Sequence, residues 1–440
     1  MKKNNLTHIL LIVLSIMIFQ SCSDTEKSGN SLEPTKVELR NENGKYQLYC
    51  NNEPFYIRGG GLEFGRISTL KKHGGNSFRT WRVDNGKVSG KEVLDAALEN
   101  GLMVCMGIEV ARERHGFDYN DTIAVNKQFE QIKKDVEDLK DHPALLMWGI
   151  GNELNLRYKN PKVWDAVNEI AAMIHDIDSN HPTTTMLAGA GKDEIKEIME
   201  RCPELDLLSF QLYGKIVELP KYIKESNYKG AYMVTEWGAT GHWEVDKTSW
   251  GRPIEQNSHI KAQAYKQRYN DVIVSDSNKC IGSYVFLWGQ KQERTPTWYG
   301  VFLENGDKTE SVDIMQYVWT GDWPENRSPK MISLTIDGKE ASESIVLNPG
   351  IKYQAKTLVE DPENDKLTYK WVILREVETA KQSDGGDFEE KPEIVFELNG
   401  MDTSDEIQFD VKEKGEYRLF VYASDGNGSS ATANIPILIK

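Results

Sequence analysis

The chain has 440 residues, 39% of them hydrophobic, which is enough for a sizeable core and suggests two or three domains. With 53 basic and 68 acidic residues its formal net charge is −15, which argues against nucleic acid or anionic lipid as a partner and leaves neutral polymers compatible. Five cysteines are too few to staple a chain of this length, and none sits in a CxxC or a Cys/His cluster with zinc spacing.

Lys2 and Lys3 precede an apolar run from Ile9 to Phe19, which has the length of a signal h-region and is too short to span a bilayer. The following Phe19-Gln20-Ser21-Cys22 resembles a bacterial lipoprotein signal, which implies removal of residues 1–21 and a lipid on Cys22. A secretory signal with an incidental cysteine is the plainer alternative. Cleavage would take Lys2 and Lys3 away and move the formal net charge from −15 to −17. Residues 22–35 then read as a flexible tether, and Asp24 and Glu26 resemble the acidic export signal of Bacteroidetes surface lipoproteins. This resemblance implies a protein held to the bacterial outer membrane through Cys22, on the cell surface or the periplasmic side.

Residues 36–320 read as a barrel with an N-terminal hairpin. Val37 to Arg58 contains Asn43-Gly44, Asn51-Asn52 and alternating apolar residues, which suits a hairpin closing the barrel bottom. From Phe55 to Gly321, short β-rich runs alternate with longer amphipathic ones, the mark of repeated βα units. Eight strands are expected: Phe55 to Arg58, Ser77 to Val83, Leu102 to Glu109, Leu145 to Gly149, Thr183 to Leu187, Leu207 to Leu212, Ala231 to Thr235 and Ile281 to Leu287. Between them, Val93, Leu94, Ala97 and Leu98 form a helical stripe, as do Phe129, Ile132, Val136 and Leu139, and Val163, Val167, Ile170, Ile174 and Ile177. Val312 to Trp319 is expected as the last helix. The fold class is therefore α/β, a (β/α)₈ TIM barrel. An open doubly wound sheet is the alternative, and Gly59-Gly60-Gly61, taken as the loop after the first strand, is not its GxGxxG phosphate loop.

Residues 321–330, rich in Pro, Asn and Ser, read as a linker. Beyond it the helical stripes stop. Ile332-Leu334-Ile336, Leu367-Tyr369-Trp371-Ile373 and Tyr417-Leu419-Val421 alternate with a period of two, so residues 331–440 are expected to form an all-β sandwich. Asp361-Pro362-Glu363-Asn364-Asp365, with Tyr417 to Gly426 later, resembles immunoglobulin-like modules appended to bacterial carbohydrate enzymes. The acidic loop reads as a solvated turn, with calcium binding as the alternative. Lys381 to Lys391 is polar and reads as a loop.

The chemistry is concentrated in two runs, Trp148-Gly149-Ile150-Gly151-Asn152-Glu153 and Val234-Thr235-Glu236-Trp237-Gly238. Each ends an apolar strand with a glutamate, after strands four and seven, at the rim where a (β/α)₈ barrel carries its reactive groups. These runs resemble the acid/base and nucleophile motifs of the clan of retaining (β/α)₈ glycoside hydrolases that includes families 2 and 5. The resemblance implies Glu153 as general acid/base and Glu236 as nucleophile. A retaining enzyme needs such carboxyls roughly 5 to 5.5 Å apart, one protonated and one ionised. It also implies Arg79, within Phe78-Arg79-Thr80-Trp81, as support for the nucleophile, and Asn152 as the holder of the sugar 2-hydroxyl. Tyr213, ending strand six, could donate to the same carboxylate, and Glu109, ending strand three, could hold a sugar hydroxyl. Trp288, closing strand eight, matches the clan's aromatic floor beneath the sugar. Trp237, His242, Trp243, Trp250, Trp298 and Tyr299 lie on the long loops after strands seven and eight and could line further subsites.

No metal or organic cofactor is required by this chemistry, and His115, His142 and His242 show no metal spacing. A short hairpin in front and an immunoglobulin-like domain behind make the layout more similar to glycoside hydrolase family 158 than to family 2. That similarity implies an endo-β-1,3-glucanase acting on laminarin-like β-glucan, a polysaccharide partner. β-Mannanase, β-1,4-glucanase and β-galactanase activities stay open, as do transglycosylation and a non-catalytic glycan-binding lipoprotein.

Overall fold

The computed structural model describes residues 33–62, 65–189, 191–378, 388–399 and 404–440. The expected signal, Cys22 and nearly all of the tether lie outside these residues, as does most of the polar loop at 381–391. No described helix is long and apolar enough to cross a membrane.

The strands β1 (Val37–Glu42), β2 (Lys45–Cys50) and β3 (Glu53–Phe55) form a small antiparallel sheet. Asn43 and Gly44, at φ 57° and 88°, make the two-residue turn that pairs Glu42 with Lys45. Val37 and Leu48 are buried with Ile57, Cys105, Met147, Met186, Met233 and Tyr284, residues pointing into the barrel interior. The backbone N–H of Val37 donates to Asn180 and that of Tyr46 to Asn278, just ahead of two barrel strands. The small sheet thus closes the N-terminal end of the barrel.

Eight parallel strands close on themselves: β4 (Ile57–Gly61), β5 (Ser77–Arg79), β6 (Met103–Ile108), β7 (Leu145–Asn152), β8 (Thr183–Ala188), β9 (Leu207–Gln211), β10 (Tyr232–Trp237) and β11 (Cys280–Val285). A helix follows each: α1 (Ile67–Lys72), α2 (Gly90–Glu99), α3 (Thr122–Leu139), α4 (Lys162–Ile177), α5 (Lys192–Arg201), α6 (Leu219–Ser226), α7 (Ser258–Arg268) and α8 (Glu310–Thr320). Strand residues alternate between two cores. Phe78, Val104, Met106, Leu208 and Phe210 pack outward under the helices, while Cys105 and Leu207 face inward. The helical stripes bury most of their apolar sides, with Val93, Leu94 and Ala97 in α2 and Val163, Val167, Ile170 and Ile174 in α4, but Leu98, expected in the α2 stripe, is exposed.

The first barrel strand is displaced from its expected position. Phe55 pairs with Leu48 in the small sheet, and the strand runs through Gly59-Gly60-Gly61, which the sequence suggested was a loop. The strand positions are glycine because neighbours lie across them: a Cβ on Gly59 would stand 2.2 Å from Tyr284 Cδ1, and one on Gly60 2.7 Å from Trp288 Cβ.

The remaining strands are β12 (Lys330–Ile336), β13 (Ile345–Leu347), β14 (Tyr353–Glu360), β15 (Thr368–Arg375), β16 (Ile394–Asn399), β17 (Glu406–Phe409), β18 (Gly415–Ser424) and β19 (Ser430–Ile439). They make a sheet ordered β12-β14-β17 and another ordered β13-β19-β18-β15-β16, enclosing a core around Trp371, Ile373, Leu419 and Val421. One alternation fails. A register shift between Met331 and Ser333 buries Met331 and leaves Ile332 exposed.

The sandwich is docked on the barrel, and Glu33–Lys440 form one compact unit. Arg418 of β18, 1% exposed, grips Glu376 through Nε and Nη2 at 3.1 and 3.0 Å. It also donates to Asn434 Oδ1 at 2.8 Å and to the carbonyl of Pro253, in the loop after β10, at 3.0 Å. Glu255 in that loop accepts from Lys261, from Thr295 and Thr297 at 2.6 and 2.9 Å, and from Asn434 Nδ2 at 2.6 Å. Breaking a buried ion pair from one side costs about 3–5 kcal/mol, against about 0–1 kcal/mol for an exposed one. Arg418→Ala should therefore lower the denaturation midpoint far more than Arg327→Ala, whose partner Glu363 is at the surface. Equal shifts in chemical denaturation would show that the buried Arg418–Glu376 pair contributes no more than a surface pair.

Candidate active site

The C-terminal ends of β5, β7, β9 and β10 meet around one carboxylate. Glu236, on β10 and 5% exposed, receives Arg79 Nη1 at 3.2 Å, Trp81 Nε1 at 2.8 Å and Gln211 Nε2 at 3.1 Å on Oε1. Its Oε2 receives the Tyr213 hydroxyl at 3.0 Å. Arg79 also donates to Asn152 Oδ1 at 2.7 Å, and Gln211 donates to the same oxygen at 2.8 Å. Two donors on that oxygen leave the Asn152 NH₂ group to serve a ligand. Trp81 is held in turn, its ring 4.7 Å below the Arg79 guanidinium.

Glu153 occupies the residue after β7. Gly151 and Glu153 both take positive φ, 73° and 53°, and the left-handed turn carries the glutamate out of the strand into the barrel mouth. For a non-glycine residue this conformation is unfavourable and is held by its surroundings. Here the Glu153 N–H donates to the Met186 carbonyl at 2.9 Å, and its own carbonyl accepts from Arg114. Arg112 Nε donates to the Asn152 carbonyl at 3.1 Å. Burial, and then the nearby Glu236 charge, push the Glu153 carboxyl up to about 7, against the smaller opposing pull of Arg114, Arg112 and Arg79.

These residues line a cavity of about 760 Å³. Asn152, Glu153, Tyr213 and Glu236 stand on its walls with Trp81, Trp288, Glu109 and Glu293. Glu109 is exposed and also lines a second cavity of about 740 Å³, which shares Arg82, Arg112 and His115 with the first. The recess therefore continues past the carboxylates along the loops after β5 and β6. Trp288 gives the cavity its edge, with its indole N–H bound to Thr69 Oγ1 at 3.1 Å and Trp319 and Phe302 behind it. Tyr213 packs edge-on to Trp243, Phe286 and Tyr299.

Trp237 does not join them. It is fully buried outside the barrel against Tyr265 and Tyr269, and it lines no part of the cavity. The register shifts along both edges of β10, between Val234 and Glu236 on β9 and between Val234 and Trp237 on β11. That irregularity lets Glu236 face inward and sends the next residue out under α7. We assign Trp237 to the core.

Five contributors went unread in the sequence. Trp81 was within the quoted strand-two run, and Gln211 stands two residues before Tyr213, but neither carries a periodic signal. Arg112 and Arg114 lie on the loop after β6. Glu293, also in the cavity, pairs with Lys291 at 2.6 Å, and burial raises its carboxyl above the ordinary range. Among the described residues, the one group of three acidic, histidine or cysteine side chains close enough to share a cation is Asp361, Asp365 and Asp425, in the sandwich.

No protein-family model matches the chain, and no curated protein matches it. Solved structures do. A calcium-binding mutant of Bacteroides uniformis beta-glucuronidase 2 is 14% identical with a TM-score of 0.50, over 92% of this chain and 48% of that one. A candidate beta-galactosidase from Bacteroides fragilis is 14% identical with a TM-score of 0.51, over 92% and 57%. Dictyoglomus thermophilum beta-D-glucuronidase is 15% identical with a TM-score of 0.50, over 66% and 54%. The chain thus shares their fold, a TIM barrel with β-sandwich structure, and spans about half the length of each.

The paired carboxyls give a pH expectation. A carboxyl raised to about 7 carries its proton below that pH and loses it above. Any step that needs the protonated Glu153 should decline as pH rises through about 7. In Glu236→Gln the like charge is gone, so the Glu153 pKa should fall, yet stay above the ordinary carboxyl value because burial, the larger cause, persists. Carbon-13 NMR titration of the glutamate carboxyls reads this directly. An unchanged Glu153 titration in the variant would mean that the two carboxyls do not interact.

Proposed function

We propose that the protein is a retaining β-glycoside hydrolase that cleaves a β-glucan, specifically an endo-β-1,3-glucanase acting on laminarin-like polysaccharide. The observation that carries the reading is the asymmetry of two neighbouring carboxyls. Glu236 is supplied with four hydrogen-bond donors, while Glu153 is buried beside it and held up to about 7. Four donors hold the Glu236 carboxyl in one orientation, as a nucleophile requires, while burial favours the protonated form of Glu153, the state of a general acid.

In the first step Glu153 gives its proton to the leaving glycosidic oxygen as Glu236 attacks the anomeric carbon, forming a glycosyl ester. In the second, the Glu153 carboxylate takes a proton from water as the water displaces Glu236. Asn152 is suited to bind the 2-hydroxyl, since its oxygen is already held by Arg79 and Gln211. Trp288 offers an aromatic wall to the sugar's CH face.

Two adjoining cavities support a chain-like substrate over a single sugar. The overall layout, with a short hairpin before the barrel and an immunoglobulin-like sandwich after it, supports the likeness to family 158. Cys22 as a lipid anchor on the outer membrane belongs to the same reading, supported by the signal-like Phe19-Gln20-Ser21-Cys22. A second reading, cleavage of a uronic acid glycoside as in the beta-glucuronidases of the same fold, is favoured by Arg66, Arg82, Arg112 and Lys291 in the cavity wall.

The test is reducing-sugar release and product sizing on β-1,3-glucan, mixed-linkage glucan, β-mannan, cellulose and galactan, with a chromogenic β-glucuronide alongside. Oligosaccharides from laminarin are expected, and Glu153→Gln and Glu236→Gln should each lower the rate by several orders of magnitude. Turnover of the glucuronide alone would select the second reading. Undiminished activity in Glu236→Gln would remove that residue from the chemistry.

A further inference from the structure

Phe388 is the most exposed large apolar side chain in the described chain, at 90%, and it belongs to the sandwich rather than the barrel. It lines the cavity that holds Glu153 and Glu236. We propose that the C-terminal sandwich completes the glycan-binding cleft by presenting Phe388 as an aromatic platform for a sugar unit away from the cleavage point. This inference rests on the polysaccharide reading of the site.

The neighbouring residue shows that this position is built. Glu389 is 3% exposed, and its carboxylate accepts from the Arg294 backbone N–H at 2.6 Å, Arg294 Nη1 at 3.0 Å and Gln292 Nε2 at 3.1 Å. Three hydrogen bonds, two of them from one arginine, fasten the sandwich segment to the barrel loop that follows β11. Two residues further on, Lys391 pairs with Glu304 of the same loop at 2.6 Å. The segment that follows Phe388 is thus tied through its side chains to the wall that also supplies Trp288, Lys291 and Glu293 to the cavity. A ring held out beside a pinned neighbour keeps its apolar face in water unless a ligand covers it.

The cavity has a second open aromatic, Trp243, which is 55% exposed and lies on the loop after β10. Trp288 and Tyr299, by contrast, are nearly buried. The aromatic lining is therefore mixed, with Trp288 and Tyr299 nearly buried and Phe388 and Trp243 open. An exposed ring suits the CH face of a pyranose, which arrives with its own hydration to lose.

The experiment compares the mature chain with Phe388→Ala, Phe388→Trp and Glu389→Ala, each checked for folding by circular dichroism. The substrates are β-1,3-gluco-oligosaccharides of increasing length and laminarin, or the corresponding series of whichever panel glycan is cleaved. The ratio of kcat/KM on the longest to that on the shortest substrate should fall about three- to tenfold in Phe388→Ala. It should be restored by Phe388→Trp and fall again in Glu389→Ala, where the platform is unpinned. An equal change at every length, or none, would overturn the proposal. A parallel arm reads binding without turnover, by retardation in gels cast with each panel polysaccharide. Retardation that weakens in Phe388→Ala supports the platform even if no glycan is hydrolysed, an outcome that would sink the catalytic reading alone. Equal retardation of parent and variant, or none for either in any gel, would overturn it.

Discussion

A carboxylate buried at the mouth of a barrel is tolerable only if donors replace the water it has lost, and Glu236 has four. They come from both sides of the barrel. Arg79 and Trp81 reach it from the end of β5, Gln211 and Tyr213 from the end of β9. Closure of the barrel is what brings these groups to one point, since β5 and β10 share no edge. The chemistry follows from this constraint. Burial, and then the Glu236 charge, hold the proton on Glu153.

Local irregularity provides the aim. A strictly alternating β10 would not place both Val234 and Trp237 under the helices, as they are here, with Glu236 facing inward. The register shift resolves this by adding a residue to the count. At β7 the left-handed turn at Gly151 and Glu153 does the same work, and a Cβ at Gly151 would stand 2.5 Å from Leu154 Cδ1. Departures from ideal strand geometry are concentrated where side chains must be redirected, which is where β-bulges are generally found.

The barrel was legible because buried parallel strands are nearly continuous apolar runs, and their helices carry a clear stripe. Glu153 and Glu236 were legible for a related reason: polar residues ending such runs stand out. What periodicity cannot show is a change of period. The register shift in β10 moved Trp237 from the expected cleft into the core, and another in β12 exposed Ile332. Nor does composition reveal that a glycine triplet lies in a strand, because what requires glycine there, Tyr284 and Trp288 crossing the strand, is distant in sequence. Trp81, Gln211, Arg112 and Arg114 were hidden similarly, each acquiring its role from partners on other strands. The sandwich was recognisable from its alternation, but the bonds that fasten it to the barrel, Arg418 to the Pro253 carbonyl and Asn434 to Glu255, join residues distant in sequence and carry no periodic signal.

The central claim is that Glu236 bears the glycosyl group. Its most direct test is labelling with 2-deoxy-2-fluoro-β-glycosides of glucose, galactose, mannose and glucuronic acid that carry an activated leaving group, followed by intact-mass measurement and peptide mapping. With the sugar the protein accepts, a mass increase of one fluorosugar localised to Glu236 is expected, together with products that keep the β-configuration when native substrate is cleaved. Label on Glu153, or an inverted product with no label at all, would contradict it.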